Sequence, residues 1–142
     1  MKIIIINGPN LNLLNKRDKS IYSLLTIDEI VSQIKVEFPE IEIESYQSNI
    51  EGEIVTWIQQ ADSGFDGMII NPGAYAHTSI AIKDALEICN IAKIEVHLSH
   101  LANREDFRQN LITAQSTNGY ISGFKENSYL AAAYLLKKLI KE

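Results

Sequence analysis

The chain has 142 residues, of which 46% are apolar and 22% charged, a balance that supports one hydrophobic core and argues against wholesale disorder. A formal net charge of -5 removes any general attraction to nucleic acid or anionic membranes, while leaving room for a local basic site for a small anion. Cys89 is the only cysteine, which excludes an intrachain disulfide and a cysteine-based zinc site. Its setting, Ala85-Leu86-Glu87-Ile88-Cys89, reads as a small buried side chain at a helix end rather than a nucleophile. The first apolar run, Ile3 to Ile6, is too short for a signal-peptide core or a membrane span, so a cytoplasmic location is the default expectation.

The β-branched run Ile3–Ile6 predicts a strand covered on both faces. A loop of 19 residues follows, from Asn7 to Leu25, longer than ordinary connections and of the kind that forms lids. Thr26-Ile27-Asp28-Glu29 has capping-box spacing and opens a helix that Pro39 stops. Ile41–Tyr46 alternates as a second strand. Ser48-Asn49-Ile50-Glu51 offers another capping box, before a helix with Ile54, Trp57, Ile58 and Ala61 on one face. Met68–Ile70 is the third strand, and Thr78 or Ser79 caps a helix running towards Asn90. Ile94, Val96 and Leu98 mark the fourth strand, Tyr120–Ser122 a short fifth, and Ser128–Ile140 the last helix. Strands alternating with helices imply a doubly wound α/β domain spanning residues 1–142, with a five-stranded parallel sheet and helices on both faces. At this length the flavodoxin-like order 2-1-3-4-5 is expected.

Ligands of such sheets bind beyond the carboxyl ends of the strands. The polar clusters Asn7–Asn12, Gln47-Ser48-Asn49, Asn71–Ser79 and His97–His100 all lie there, and they hold all three histidines. Glu95 and His97 are two apart in a strand and therefore share a face. A carboxylate beside an imidazole prepares a general acid, or forms a structural ion pair. Arg17 and Tyr22 share the long loop. An unperturbed tyrosine ionises near pH 10, so service as a base near neutrality needs about 4 kcal/mol of phenolate stabilisation. One guanidinium roughly 4 Å away supplies that much. Arg104 and Arg108 are spaced as if one helical turn apart, and Arg104 suits a substrate-facing and a surface position equally. Asp84, beside Lys83 in a helix, reads locally as solvated, and Gln47, Asn49 and Glu51 read as capping and turn residues.

Taken together, Gly8-Pro-Asn-Leu-Asn-Leu-Leu14, Arg17, Tyr22, Gln47-Ser-Asn-Ile-Glu-Gly52, Asn71-Pro-Gly-Ala-Tyr-Ala-His-Thr-Ser79, Glu95-Val-His-Leu-Ser99 and Arg104-Glu-Asp-Phe-Arg108 resemble the type II 3-dehydroquinate dehydratases. The resemblance runs from the first strand to the last helix. It implies a lyase of the shikimate pathway that eliminates water from 3-dehydroquinate in the trans sense, through an enolate, without metal or organic cofactor. Tyr22 would take the C2 proton, with Arg17 favouring its ionised form. His97 would protonate the departing C1 hydroxyl, oriented by Glu95, and Asn10 would hold the water that stabilises the enolate. The amides of Leu98 and Ser99, the Ser99 hydroxyl and Asn71 would bind the substrate carboxylate, and His77 and Arg108 the ring hydroxyls. In the family the residue matching Asp84 reaches a neighbouring subunit's site, and trimers assemble into dodecamers. No nucleic-acid or membrane partner is implied.

The departures gather in the lid. Asn15-Lys-Arg-Asp-Lys19 and Tyr22-Ser23 stand where the family usually has Gly-x-Arg-Glu-Pro and Tyr-Gly, which changes loop stiffness and allowed dihedrals. Ala92-Lys93 replaces a usual proline entry to the fourth strand. The rival reading, a non-enzymatic flavodoxin-like regulator or sensor, requires an acidic pocket or a phosphate-binding loop after the first strand. No Gly-rich nucleotide loop and no Ser/Thr-rich flavin-phosphate loop is present.

Overall fold

A computed structural model describes residues 1–141. It contains β1 (Lys2–Asn7), α1 (Ile27–Glu37), β2 (Glu42–Gln47), α2 (Glu51–Ala61), β3 (Gly67–Asn71), α3 (Ile80–Ile88), β4 (Ala92–His97), β5 (Gly119–Ser122) and α4 (Asn127–Lys141). The strands form one sheet in the order β2-β1-β3-β4-β5, every pair parallel, as the alternation of elements predicts.

The isoleucine run of β1 is buried on both sides because the pleat sends its side chains into two cores. Ile3 and Ile5 join Ile34, Val96, Tyr129 and Leu136 on the face covered by α1 and α4. Ile4 and Ile6 join Ile54, Ile58, Ile82 and Leu86 under α2 and α3. All four are at most 2% exposed, and each contributes about 1.5–3 kcal/mol by leaving water. Successive strands are added outward on one side of β1 and then on the other, so β1 and β3 flank the switch point at which such folds open a crevice.

Local chemistry sets the element ends. Thr26 and Glu29 form the reciprocal capping box at the start of α1. Pro39 disfavours helical geometry at Phe38, and the helix ends at Glu37. The second expected box does not form: Ile50 caps α2 without a side-chain bond. Ser48 Oγ instead accepts from Ile50 N at 2.9 Å and donates to Glu53 Oε1 at 2.6 Å. Glu51 is engaged elsewhere, accepting from Ser79 Oγ at 2.6 Å, so the N-cap of α3 is tied to the first residue of α2. β4 stops at His97, one residue short of the expected Leu98, where pairing with β5 ends. The long first loop is not bare: Leu11–Lys16 makes a 3-10 turn, anchored by buried Leu11 and Leu14.

Two glycines let the loops after β1 and β3 meet. A Cβ at Gly8 would lie 2.4 Å from the Pro72 carbonyl oxygen, and Gly73 adopts φ 61° against Pro9. Their contact sets the floor of the crevice.

Candidate active site

A cavity of about 90 Å³ opens at the carboxyl ends of β1, β3 and β4. It is lined by Asn10, Arg17, Tyr22, Asn71, His77, His97, Leu98, Ser99, Arg104 and Arg108, with loop backbone between them. Every residue expected from the sequence is therefore brought to one place, except Glu95 and Asp84. Glu95 lies directly behind His97. Asp84 is exposed on α3 and does not line the cavity. His100, the third histidine of the strand-end clusters, is exposed and packs beside Gly123 instead.

The His97 side of the cavity is built on β4. Glu95 is fully buried, and its Oε2 lies 2.7 Å from His97 Nε2. Its other oxygen accepts from Thr113 Oγ1 at 2.5 Å. A buried carboxylate with both oxygens engaged is a fixed acceptor, which sets the imidazole orientation and leaves Nδ1 of His97 as its free nitrogen. The His77 ring stacks near that of His97, with centroids 6.1 Å apart at 25°. His77 Nδ1 donates to the Asn110 carbonyl at 3.0 Å. Burial holds His77 below the usual histidine range, helped by the neighbouring His97 and Arg108 charges. Its imidazole is therefore neutral near pH 7, and with Nδ1 donating, Nε2 is left as an acceptor.

The Tyr22 side of the cavity comes from loops. Arg17 Nη2 donates to the Tyr22 hydroxyl, and its guanidinium carbon lies 3.7 Å from the ring centroid. Arg104 Nη2 donates to the same hydroxyl at 3.0 Å and Nη1 to Ser99 Oγ at 3.0 Å. Two cationic donors thus converge on one phenolic oxygen, each in a charge-assisted bond. Burial lowers Arg17 from its ordinary value, and the charges of Arg108 and Arg104 lower it further. Burial acts the same way on Arg104, but the Tyr22 hydroxyl and Glu105 outweigh it and leave Arg104 raised. Three guanidinium groups, Arg17, Arg104 and Arg108, thus crowd the cavity of a chain whose formal net charge is -5. Such a cluster is relieved by an anion, whether the phenolate or a carboxylate ligand.

Beneath the cavity runs a buried polar chain. Tyr129 OH donates to Asn7 Oδ1 at 2.5 Å and accepts from Asn71 Nδ2 at 3.0 Å, while Asn71 Oδ1 accepts from Gly73 N at 3.1 Å. Burial pushes the Tyr129 hydroxyl well above the usual tyrosine range, so it stays protonated and keeps the Asn71 amide in one orientation. Asn10 occupies the left-handed region at φ 68°, a conformation asparagine tolerates, and its N–H donates to Asn49 Oδ1 at 3.1 Å.

Three of these residues carry little or no local signal in the sequence. Arg104 stood undecided, because its partner Tyr22 is 82 positions away. Nor is it on a helix with Arg108: Arg104 is extended, and only Asp106–Arg108 forms a 3-10 turn. Thr113 and Tyr129 carried no local signal, since their partners come together only through folding. Among the described residues no group of three or more His, Cys, Asp or Glu side chains is arranged to hold a metal ion. No helix there is long and apolar enough to cross a membrane.

Comparison with known proteins gives the same architecture and a family. The model of the class II dehydroquinases matches residues 1–137. The 3-dehydroquinate dehydratase of Clostridium perfringens (strain SM101 / Type A) is 51% identical, over 99% of each chain. That of Thermotoga petrophila is 45% identical, over 100% of this chain and 99% of its own. The crystal structure of the type II dehydroquinase from Butyrivibrio crossotus superposes with a TM-score of 0.92 at 46% identity, covering 96% of this chain and 97% of that one. With the family model spanning nearly every residue and the relatives aligned end to end, the chain belongs to the class II dehydroquinase family.

Proposed function

We propose that this chain dehydrates 3-dehydroquinate to 3-dehydroshikimate, with Tyr22 as base and His97 as acid. The family membership and the names of its relatives support the overall reaction, a hydro-lyase step of the shikimate pathway. One observation carries the division of roles: the Tyr22 hydroxyl accepts from two guanidinium groups, while His97 is held by a buried carboxylate in the same cavity.

The chemistry follows from those placements. The Tyr22 phenolate, favoured by Arg17 and Arg104, removes the C2 proton α to the ketone, and the electron pair forms an enolate. Asn10 holds the water that donates to the enolate oxygen. Collapse of the enolate expels the C1 hydroxyl, which takes a proton from His97 Nδ1 and leaves as water. Glu95 stabilises the imidazolium before transfer and retains the proton on Nε2 afterwards. Proton count balances: one passes from C2 to Tyr22 and one from His97 to the hydroxyl, and return of the first to His97 resets the site.

Leu98 and Ser99 amides, the Ser99 hydroxyl and Asn71 receive the substrate carboxylate. Neutral His77 and Arg108 bind ring hydroxyls, His77 accepting through Nε2. We read residues 1–142 as one catalytic domain working in the cytoplasm and as part of a homo-oligomer, a dodecamer built from trimers. In that assembly Asp84, exposed and remote from its own cavity, completes a neighbour's site. Light scattering at the mass of twelve chains would support this, and a monomer active at every dilution would overturn it.

The decisive assay mixes the purified chain with 3-dehydroquinate and follows the conjugated enone in the ultraviolet. Enone formation is expected, and borohydride should trap no lysine adduct. Folded protein without turnover would sink the proposal.

A further inference from the structure

The seven residues from Ser122 to Ser128, joining β5 to α4, touch both halves of the site. On the acid side Gly123 N and Ser128 Oγ both donate to the His97 carbonyl, each at 3.3 Å. Lys125 N donates to Leu98 O at 3.0 Å, and Ser122 Oγ donates to Ser99 O at 2.8 Å. The segment thereby holds the backbone of three consecutive residues lining the cavity. Lys125 meets this demand in the left-handed region, at φ 51°.

The same segment also holds the lid. Ser23 Oγ donates to Glu126 Oε2 at 2.8 Å, across 103 positions, and accepts from Leu25 N at 3.0 Å. Lys125 Nζ donates to Lys19 O at 3.3 Å. Ser23 is 1% exposed and adjoins Tyr22 in the chain. A buried hydroxyl bonded to a carboxylate is a charge-assisted tether, stronger than a bond between neutral groups. Among the described residues Glu126 forms no ion pair, and its carboxylate makes this one contact. The family's usual glycine at this position has no side chain with which to make it.

We propose that Glu126 and Ser23 are positioning residues for the base. Glu126 pins the rear of the lid to the segment that fixes the His97 backbone, and so sets Tyr22 and His97 at one separation. Holding the backbone next to Tyr22 keeps its hydroxyl in reach of both Arg17 and Arg104. Because this rests on Tyr22 as the base, the test must separate the two ideas.

Steady-state turnover of 3-dehydroquinate by the full chain is compared for Glu126→Ala, Ser23→Ala, the double variant and Glu126→Gln, each verified as folded at the assay temperature. Losing the tether is expected to lower kcat about 10-fold with little change in KM, the cost of misplacing a group that acts only at the transition state. Glu126→Gln keeps an oxygen that accepts from Ser23 and should recover most of kcat. The double variant should be no slower than either single one. A bond that merely stabilises the fold would change thermal stability while leaving kcat alone. Wild-type kcat in folded Glu126→Ala, or Glu126→Gln as slow as Glu126→Ala, would overturn the tether while leaving the base assignment intact. Should Glu126→Ala not fold, Ser23→Ala carries the same comparison. Wild-type proton exchange at C2 in Tyr22→Phe overturns the base assignment instead.

Discussion

The two ends of this site, His97 proposed as acid and Tyr22 proposed as base, are constructed in opposite ways. Glu95 and His97 share one face of one strand, both are buried, and Glu95 is bonded on both oxygens. That half is preorganised by the sheet. Tyr22 and Arg17 arrive together on the long first loop and Arg104 on the β4–β5 connection, and the three meet only while the lid lies against that connection. The difference teaches where precision comes from: on β4 it is a property of the backbone pleat, and on the lid it must be supplied by long-range bonds.

The largest effects should come from removing the two proton-transfer groups. Tyr22→Phe and His97→Ala are each expected to reduce kcat by about 10²–10⁴-fold. They should separate in deuterium exchange at C2, which Tyr22→Phe abolishes and His97→Ala preserves. Equal exchange in Tyr22→Phe and wild type would break the division of roles.

A smaller loss sharpens the account of the base side. Arg104→Ala should lower kcat by about 10–100-fold, the worth of a hydrogen bond between charged groups. Arg17→Ala should fall in the same range, since both guanidinium groups donate to one oxygen. If Arg104→Ala turns over at the wild-type rate, a single cation activates Tyr22.

The smallest effect lies on the acid side and is read as stability. The folded-state value of His77 is held below its ordinary 6.5. As pH falls below that value the unfolded chain takes up the proton first, so stability is fully present above it and is lost on the way down to the folded value. Thermal melts between about pH 7.5 and about pH 5 should therefore decline more steeply in wild type than in His77→Gln just below the ordinary histidine value. Parallel curves would show that His77 is not desolvated as its place beside His97 implies.

Much of the molecule could be read before folding, and for local reasons. The isoleucine run, the Thr26–Glu29 box and the stop at Pro39 act within a few residues, so β1 and α1 appear where expected. The Glu95–His97 pair was legible because a two-residue spacing in a strand has only one geometric outcome. Strand-end placement then gathered the polar clusters, and the family resemblance gave them their roles. The role expected of Asp84 rests on resemblance alone, since within the chain it is exposed on α3 and does not line the cavity.

What the tertiary structure alone decided are the contacts whose partners lie far apart in sequence. Arg104 reaches Tyr22, Thr113 reaches Glu95, Tyr129 reaches Asn7 and Asn71, and Glu126 reaches Ser23. None leaves a periodic or capping signal. The lost Ser48 box shows the same rule in reverse, since Ser79 from the neighbouring helix captured Glu51. Periodicity and caps are enforced within a turn or a pleat, whereas a side chain choosing among distant partners is ruled by packing that exists only once the sheet has closed.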